Sequence, residues 1–221
     1  IDLTAEEVPS TDGSARPFVE ALTSAGVVEQ PAEPNVHVID EPVAVCEGQA
    51  TLAALPGPAD CLDILYELDY GSSGPGRQVF AFRLGEDDFA TEVAPARTFA
   101  LEAEARAMQA KGLAPHLSAR DILVLGPDGP IDNELRFPDE PARHKVCDLI
   151  GDLALLGRRL RGRVVACRSG HELNQALVRR LAERLAEQRQ ARSLAAEPAM
   201  DIGSIMRLLP HRYPFLMVDR I

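Results

Sequence analysis

No apolar run in the 221 residues reaches the roughly 18 needed to cross a membrane as a helix, and no signal-peptide pattern opens the chain. No CxxC pair occurs. Cys46, Cys61, Cys147 and Cys167 stand far apart, which excludes a cysteine zinc knuckle and reads as scattered, mostly buried thiols rather than a disulfide framework. GxGxxG, P-loop and GxSxG elements are missing, so nothing points to a dinucleotide fold, a P-loop NTPase or a nucleophile elbow. Lysine is nearly absent: Lys111 and Lys145 stand against 21 arginines. Basic residues of any kind are scarce in the first part, where residues 1–95 carry 18 acids and 3 bases, whereas residues 96–221 carry 16 acids and 20 bases. A formal net charge of −11 argues against nucleic-acid binding over the whole chain, and the basic part suits an anionic substrate or a solvated surface.

What is present is ordinary globular composition, 46% hydrophobic and 26% charged, in a chain long enough for one large or two small cores. It starts at Ile1 without an initiator methionine and stops at Ile221 after an apolar, strand-like run, so it reads as a piece of something longer. Asp12-Gly13-Ser14 is a turn with an N-cap signal, followed by Phe18, Val19, Leu22 and Ala25 at helical spacing, with Gly26 closing the helix. Between residues 36 and 89 the pattern is mostly strand: NVHVID, PVAVCEG, CLDILYELDY (broken by acids) and RQVFAFRLG. Residues 99–111 predict an alanine-rich helix ended by Gly112, and DILVLGPDG a strand and turn. Asp139 is placed to cap a helix running to about Leu156, with Pro141 in its first turn and Gly157 past its end. RGRVVACRSG predicts a strand and turn, Glu172 to about Gln190 an amphipathic helix, residues 191–200 a linker, and residues 201–221 a short helix, a proline-bounded turn and a strand.

The helix at 139–156 is the most informative stretch. His144, Asp148 and Asp152 fall within about 80° on its helical wheel, and apolar residues cover most of the rest. A buried helix with one narrow polar stripe must pair its charges or coordinate a metal. A His and an Asp at i and i+4 can share one divalent ion, or form an ion pair. Lys145, one of only two lysines, sits beside the stripe and is either a compact ammonium that arginine cannot mimic or a surface residue. His171 follows Ser169-Gly170 at a strand-to-helix turn, where side chains face clefts; capping or solvent exposure is the alternative. Arg158, Arg159, Arg161 and Arg163 read as a solvated turn, and His37 and His116 have no companions.

RHKVCDLIGDLALLG, a following strand and SGHELN together resemble UDP-3-O-acyl-N-acetylglucosamine deacetylases, the zinc amidases of lipid A biosynthesis. DGSARPFVEALTSAGVVEQ, APARTFALEAEARAMQAKGLA and DNELRFPDE are similar to further blocks of that family, in order, over roughly residues 1–190. IMRLLPHRYPFLMVDRI resembles the opening of 3-hydroxyacyl-[acyl-carrier-protein] dehydratases, as in fused chains. The resemblance implies an α+β fold: a two-layer sheet/helix sandwich forming the deacetylase second domain. The end of the first domain precedes it and the start of a hotdog-fold domain follows. The implied boundaries are 1–30 for the end of the first domain, 31–190 for the second, 191–200 for the linker and 201–221 for the dehydratase start.

By resemblance, His144 and Asp148 are zinc (Zn2+) ligands. The third ligand, a His, and the general base, a Glu, belong to a Val-Glu-His element expected upstream of Ile1. His171 corresponds to the family's general acid or oxyanion stabiliser, Asp152 to the carboxylate that orients it, and Thr98 to the threonine that steadies the tetrahedral intermediate. Lys145 and Phe99 are implied in substrate binding, and residues 100–125 in the acyl tunnel, where PHLSARD (115–121) departs from the family's glycine-rich element. His211 belongs to the dehydratase signature, whose catalytic residues are expected beyond Ile221. The implied activity is zinc-dependent hydrolysis of the N-acetyl group of UDP-3-O-acyl-N-acetylglucosamine in a cytoplasmic enzyme, with acyl-carrier protein as partner of the fused dehydratase and residues 1–221 inactive alone. A non-catalytic UDP-sugar and acyl-chain binding region, or a scaffold for the dehydratase, are the alternatives.

Overall fold

A computed structural model describes residues 4, 8–71, 74–112, 122–196, 200, 202–210 and 212. The chain divides into two compact units, Ile1–Arg179 and Arg180–Ile221.

The first unit is built on a six-stranded sheet. Its path runs β2 (Val43–Glu47), β3 (Ala50–Leu55), β9 (Arg159–Cys167), β4 (Leu62–Asp69), β5 (Arg77–Leu84), and β1 (Val36–Val38) pairs in parallel with the start of β9. β9 is the axis, antiparallel to β3 and parallel to β4, with Leu62↔Gly162 through Glu67↔Cys167 in register. Alternation explains the core: Leu62, Ile64, Tyr66 and Leu68 of β4 are buried, as are Val164 and Ala166 of β9, Phe80 and Phe82 of β5, and Leu52 and Ala54 of β3. The acids expected to break residues 62–70 do not do so. Asp63, Glu67 and Asp69 take the positions between the buried residues, where Arg163, Arg77 and Arg168 pair with them. Gly162 is required inside β9: its φ is +133°, and a Cβ there would lie 2.9 Å from the Leu55 carbonyl and 3.1 Å from Ile39 Cβ.

A helix, α4 (Glu140–Ala154), lies against β4 and β5 and gives the unit its sheet/helix layering. Its own Val146, Leu149 and Leu153 are buried, on the face that meets the sheet. The expected near-total burial holds on that face alone: Gly151, Ala154 and Leu155 are exposed, because within this unit only one side of the helix meets the sheet. Asp139 precedes α4 but does not cap it; its carboxylate accepts instead from Arg143 Nε at 2.7 Å. The Arg143 guanidinium is stacked between the rings of Phe80 and Phe137, 4.2 and 4.5 Å away.

The segment between β5 and α4 holds α2 (Phe89–Glu92), β6 (Phe99–Leu101), α3 (Glu102–Ala110), β7 (Leu123–Gly126) and β8 (Gly129–Pro130). Residues 99–101, expected to open a helix, form a strand instead, because Phe99, Ala100 and Leu101 pair in parallel with Leu123, Val124 and Leu125. Residues 113–121, including His116 and all of PHLSARD, lie outside the described residues. The predicted N-terminal helix is present as α1 (Arg16–Ser24), entered from Ala15 rather than from a side-chain cap, and none of its residues is buried. Only Cys61 of the four cysteines is buried; Cys46 is exposed on the edge strand β2, and Cys147 and Cys167 are half-buried, since neither is covered on both sides. All four are free thiols.

The last helix of the first unit, α5 (His171–Ala196), begins at the turn after β9 and continues into the second unit. It runs past Gln190 and takes in six residues of the segment read as a linker. ARSLAA is rich in helix formers and has no breaker before Pro198. The second unit also holds α6 (Ile202–Leu208), with Ile205 buried. The strand expected at its end falls on residues 213–221, and His211 precedes it; both lie outside the described residues.

Candidate functional site

The polar stripe of α4 faces the turn where β9 hands over to α5. The Asp148 carboxylate sits at its centre. His144 Nε2 lies 3.3 Å from Asp148 Oδ1, Lys145 Nζ lies 2.9 Å from Asp148 Oδ2, and His171 Nε2 lies 3.8 Å from the same Oδ2. One turn further along α4, Asp152 Oδ2 meets His171 Nδ1 at 2.8 Å. Five of the seven residues singled out from the sequence are thus brought into one cluster.

His144 is shaped by its surroundings. Its Nδ1 lies 3.2 Å from the Ala96 carbonyl, which leaves Nε2 turned toward Asp148. Burial pushes its pKa below the ordinary histidine value, against the pull of Asp148, so a neutral imidazole with a free lone pair is favoured. Phe99 packs edge-on against it, centroids 6.5 Å apart, and Tyr70 packs edge-on against Phe99 at 5.8 Å. A sixth predicted residue, Phe99, therefore walls the cluster.

The seventh, Thr98, is placed by its backbone. Its N–H donates to the Gly13 carbonyl at 2.6 Å, and its side chain is exposed. Gly13 has φ +79°, and a Cβ there would come within 3.1 Å of Thr98 Cγ2, so the Asp-Gly-Ser turn must carry glycine to let the two segments touch. The neighbour, Arg97, is locked to the start of α4: its Nε donates to Glu140 Oε1 at 2.8 Å, and its Nη2 to Glu140 Oε2 at 3.1 Å. Arg136 extends the network to Asp12 (2.7 Å) and the Pro95 carbonyl (2.8 Å). Burial works to raise the Glu140 carboxyl, but hydrogen bonds from Arg97 and from the backbone of Arg136 and Arg97 outweigh it and hold it below its usual range. Burial likewise acts on Asp12, and Ser14 and Arg136 overcome it, bringing that carboxyl to about 2.

The turn that presents His171 is strained and pinned. Arg168 has φ +55°, uncommon for a residue with a side chain, and its N–H donates to the Glu67 carbonyl at 2.8 Å. The buried Tyr66 hydroxyl donates to the Ser169 carbonyl, and burial raises that phenol so that it stays a protonated donor. Sequence reasoning missed Tyr66, Arg97, Glu140 and Asn174, whose Nδ2 donates to Asp152 Oδ2 at 2.9 Å. For Asn174 a signal existed: it lies three residues after His171 on one helix face.

A family profile described as UDP-3-O-acyl N-acetylglycosamine deacetylase (LpxC) matches residues 1–183. The chain belongs to this family. Among its relatives, the UDP-3-O-acyl-N-acetylglucosamine deacetylase of Anaeromyxobacter dehalogenans is 43% identical over 187 residues, covering 82% of this chain and 58% of the relative. That of Thermosynechococcus vestitus is 41% identical over 183 residues, covering 83% and 63%. The "Bifunctional enzyme LpxC/FabZ" of Chlorobaculum tepidum is 34% identical over 255 aligned positions, covering 100% of this chain and 54% of the relative. The chain thus spans between half and two thirds of these relatives. Among the described residues no helix is long and apolar enough to cross a membrane.

As a metal site, the deacetylase-family cluster offers two donors of the right chemistry, a neutral imidazole nitrogen and a carboxylate oxygen, with the second ring nitrogen held by a backbone carbonyl. A catalytic zinc site uses three protein ligands. Among the described residues, the one group of three metal-ligating types within reach of each other is Asp60, Cys61 and Glu86, away from this cluster. There burial raises the Cys61 thiol, and Glu86 is paired with Arg83.

Proposed function

We propose that this chain carries part of a zinc-dependent deacetylase that hydrolyses the N-acetyl group of UDP-3-O-acyl-N-acetylglucosamine in lipid A biosynthesis. The observation that carries the reading is the convergence of His144, Lys145, Asp148, Asp152 and His171 on one point, in a chain of the deacetylase family. His144 Nε2 and Asp148 would hold the zinc, with a third ligand and a general base supplied by the protein outside these residues. When bound, the zinc polarises the amide carbonyl and acidifies water.

The chain's own residues divide the remaining work. Asp152 holds Nδ1 of His171, so the proton to be given to the departing amine resides on Nε2, the nitrogen facing Asp148. Thr98, fixed by Gly13 and the Arg97–Glu140 pair, supports the developing oxyanion. Lys145 places a cation beside the cluster to meet the diphosphate of the substrate, and Phe99 forms an apolar wall for the substrate. The basic part of the chain is the part that holds these contacts.

The full coverage by a bifunctional relative supports a second proposal: residues 201–221 open a dehydratase acting on 3-hydroxyacyl groups of acyl-carrier protein, in a cytoplasmic protein with two activities. The test uses the full-length protein. Acetate release from UDP-3-O-acyl-N-acetylglucosamine, lost with bound zinc in His144→Ala, is expected. A His144→Ala protein that retains stoichiometric zinc and activity overturns the reading.

A further inference from the structure

We propose that Asn174 is a positioning residue for the Asp152–His171 pair: its side-chain amide fixes the one carboxylate oxygen that holds the imidazole. The proposal rests on the deacetylase reading for its kinetic consequence, but its geometry is independent of it.

Three observations lead there. First, Asp152 Oδ2 accepts from both sides: His171 Nδ1 at 2.8 Å and Asn174 Nδ2 at 2.9 Å. His171 and Asn174 are i and i+3 on α5, so both donors come from one face of one helix and close on a carboxylate carried by α4. Two donors on one oxygen fill the positions that Asp152 would otherwise use to swing, and they define the plane in which the ring lies.

Second, Asn174 is 1% exposed, and its Oδ1 has no hydrogen-bond partner. A buried acceptor without a donor costs stability, and an apolar residue of the same size would not carry that cost. The amide is therefore kept for its other end. Its orientation is settled by chemistry: turned over, Oδ1 would face the carboxylate oxygen with no proton between them.

Third, the backbone around Asn174 leaves little freedom. Its N–H donates to the Gly170 carbonyl at 2.9 Å. The Ser169 carbonyl just before is held by Tyr66, so the turn before His171 and the first turn of α5 are anchored on both sides of the imidazole. The ring itself is 60% exposed and has no comparable packing to hold it. Its aim depends on Asp152, and that of Asp152 on Asn174.

The test compares full-length, zinc-loaded wild type with Asn174→Leu, which keeps the branched shape and removes the donor, and with Asn174→Ala, which avoids overpacking. Loss of the amide is expected to lower kcat about tenfold to a hundredfold with KM unchanged within about twofold. In histidine-labelled protein, the low-field His171 Nδ1–H resonance is expected to broaden through faster exchange with water. The resonance needs no turnover: a wild type that releases no acetate sinks the deacetylase reading, while the resonance still decides the part of Asn174. Variants with wild-type kcat and an unchanged resonance overturn the proposal. So does a kcat that falls only in step with zinc content or folded fraction while the resonance stays as in wild type.

Discussion

Arg97 grips Glu140 in a two-pronged ion pair, Nε on Oε1 and Nη2 on Oε2, with side chains 8% and 0% exposed. The pair ties the strand-leading segment that carries Thr98 and Phe99 to the first turn of the helix that carries His144 and Asp148. Breaking one side of a buried pair strands the other charge and costs about 3–5 kcal/mol. Glu140→Leu and Arg97→Met are each expected to lower the unfolding free energy by that order. An Arg97→Met/Glu140→Leu double variant is expected to regain a large part. Denaturant titration of the three variants checks this, and purely additive losses would contradict it.

The same carboxyl sets an acid limit. Glu140 lies below its ordinary value of 4.5 in the fold, and Asp12 falls from 3.8 to about 2. A carboxyl depressed by folding adds stability above its unfolded pKa and loses it as pH falls through its folded pKa. Stability is therefore expected to hold from neutral pH down to about 4.5 with respect to these groups and to decline below it. Glu140→Gln is expected to be less stable at neutral pH and to show a shallower decline below pH 4.5 than wild type. Midpoints measured across pH check the slope; parallel curves would refute the assignment.

Thiol accessibility offers an independent check on the fold. Cys46 is exposed. Burial, with the nearby Asp148 charge, pushes Cys147 up to about 11, and burial raises Cys61. At neutral pH an alkylating reagent is expected to label Cys46 in the native protein, and Cys61 and Cys147 only after unfolding. Mass spectrometry of labelled peptides reads the order, and early labelling of Cys61 would mean the sheet is not packed as described.

Much of this was legible in the chain because it is local. The stripe His144–Asp148–Asp152 follows from the helical period, and β1, β2, β4, β5, β7 and β9 from their local apolar pattern. β3 was not read as a strand of its own, since ATLAAL is weakly patterned and is defined by pairing with β9 more than a hundred residues later. Phe99–Leu101 look helical alone and become a strand because β7 offers them a partner. The supports of the site were invisible for the same reason. Arg97 meets Glu140 across 43 residues, and Tyr66 meets Ser169 across 103; spacing on one element says nothing about contacts that topology creates.

Asp152 separates orientation from metal binding. It is within hydrogen-bond reach of His171 Nδ1, whereas His144 faces Asp148. Asp152→Asn keeps the shape but replaces the anion that selects the Nδ1–H tautomer and steadies the charged ring with a neutral amide. Without that carboxylate, the imidazolium whose Nε2 proton goes to the leaving amine loses its counter-charge and its aim. In the full-length protein kcat is expected to fall about 10²- to 10⁴-fold, with KM within about twofold and zinc content unchanged, because no ligand has been touched. Steady-state kinetics with metal analysis on the same sample checks both halves. Loss of zinc in Asp152→Asn would move Asp152 into the metal shell. An unchanged kcat would remove His171 from the proton-transfer step.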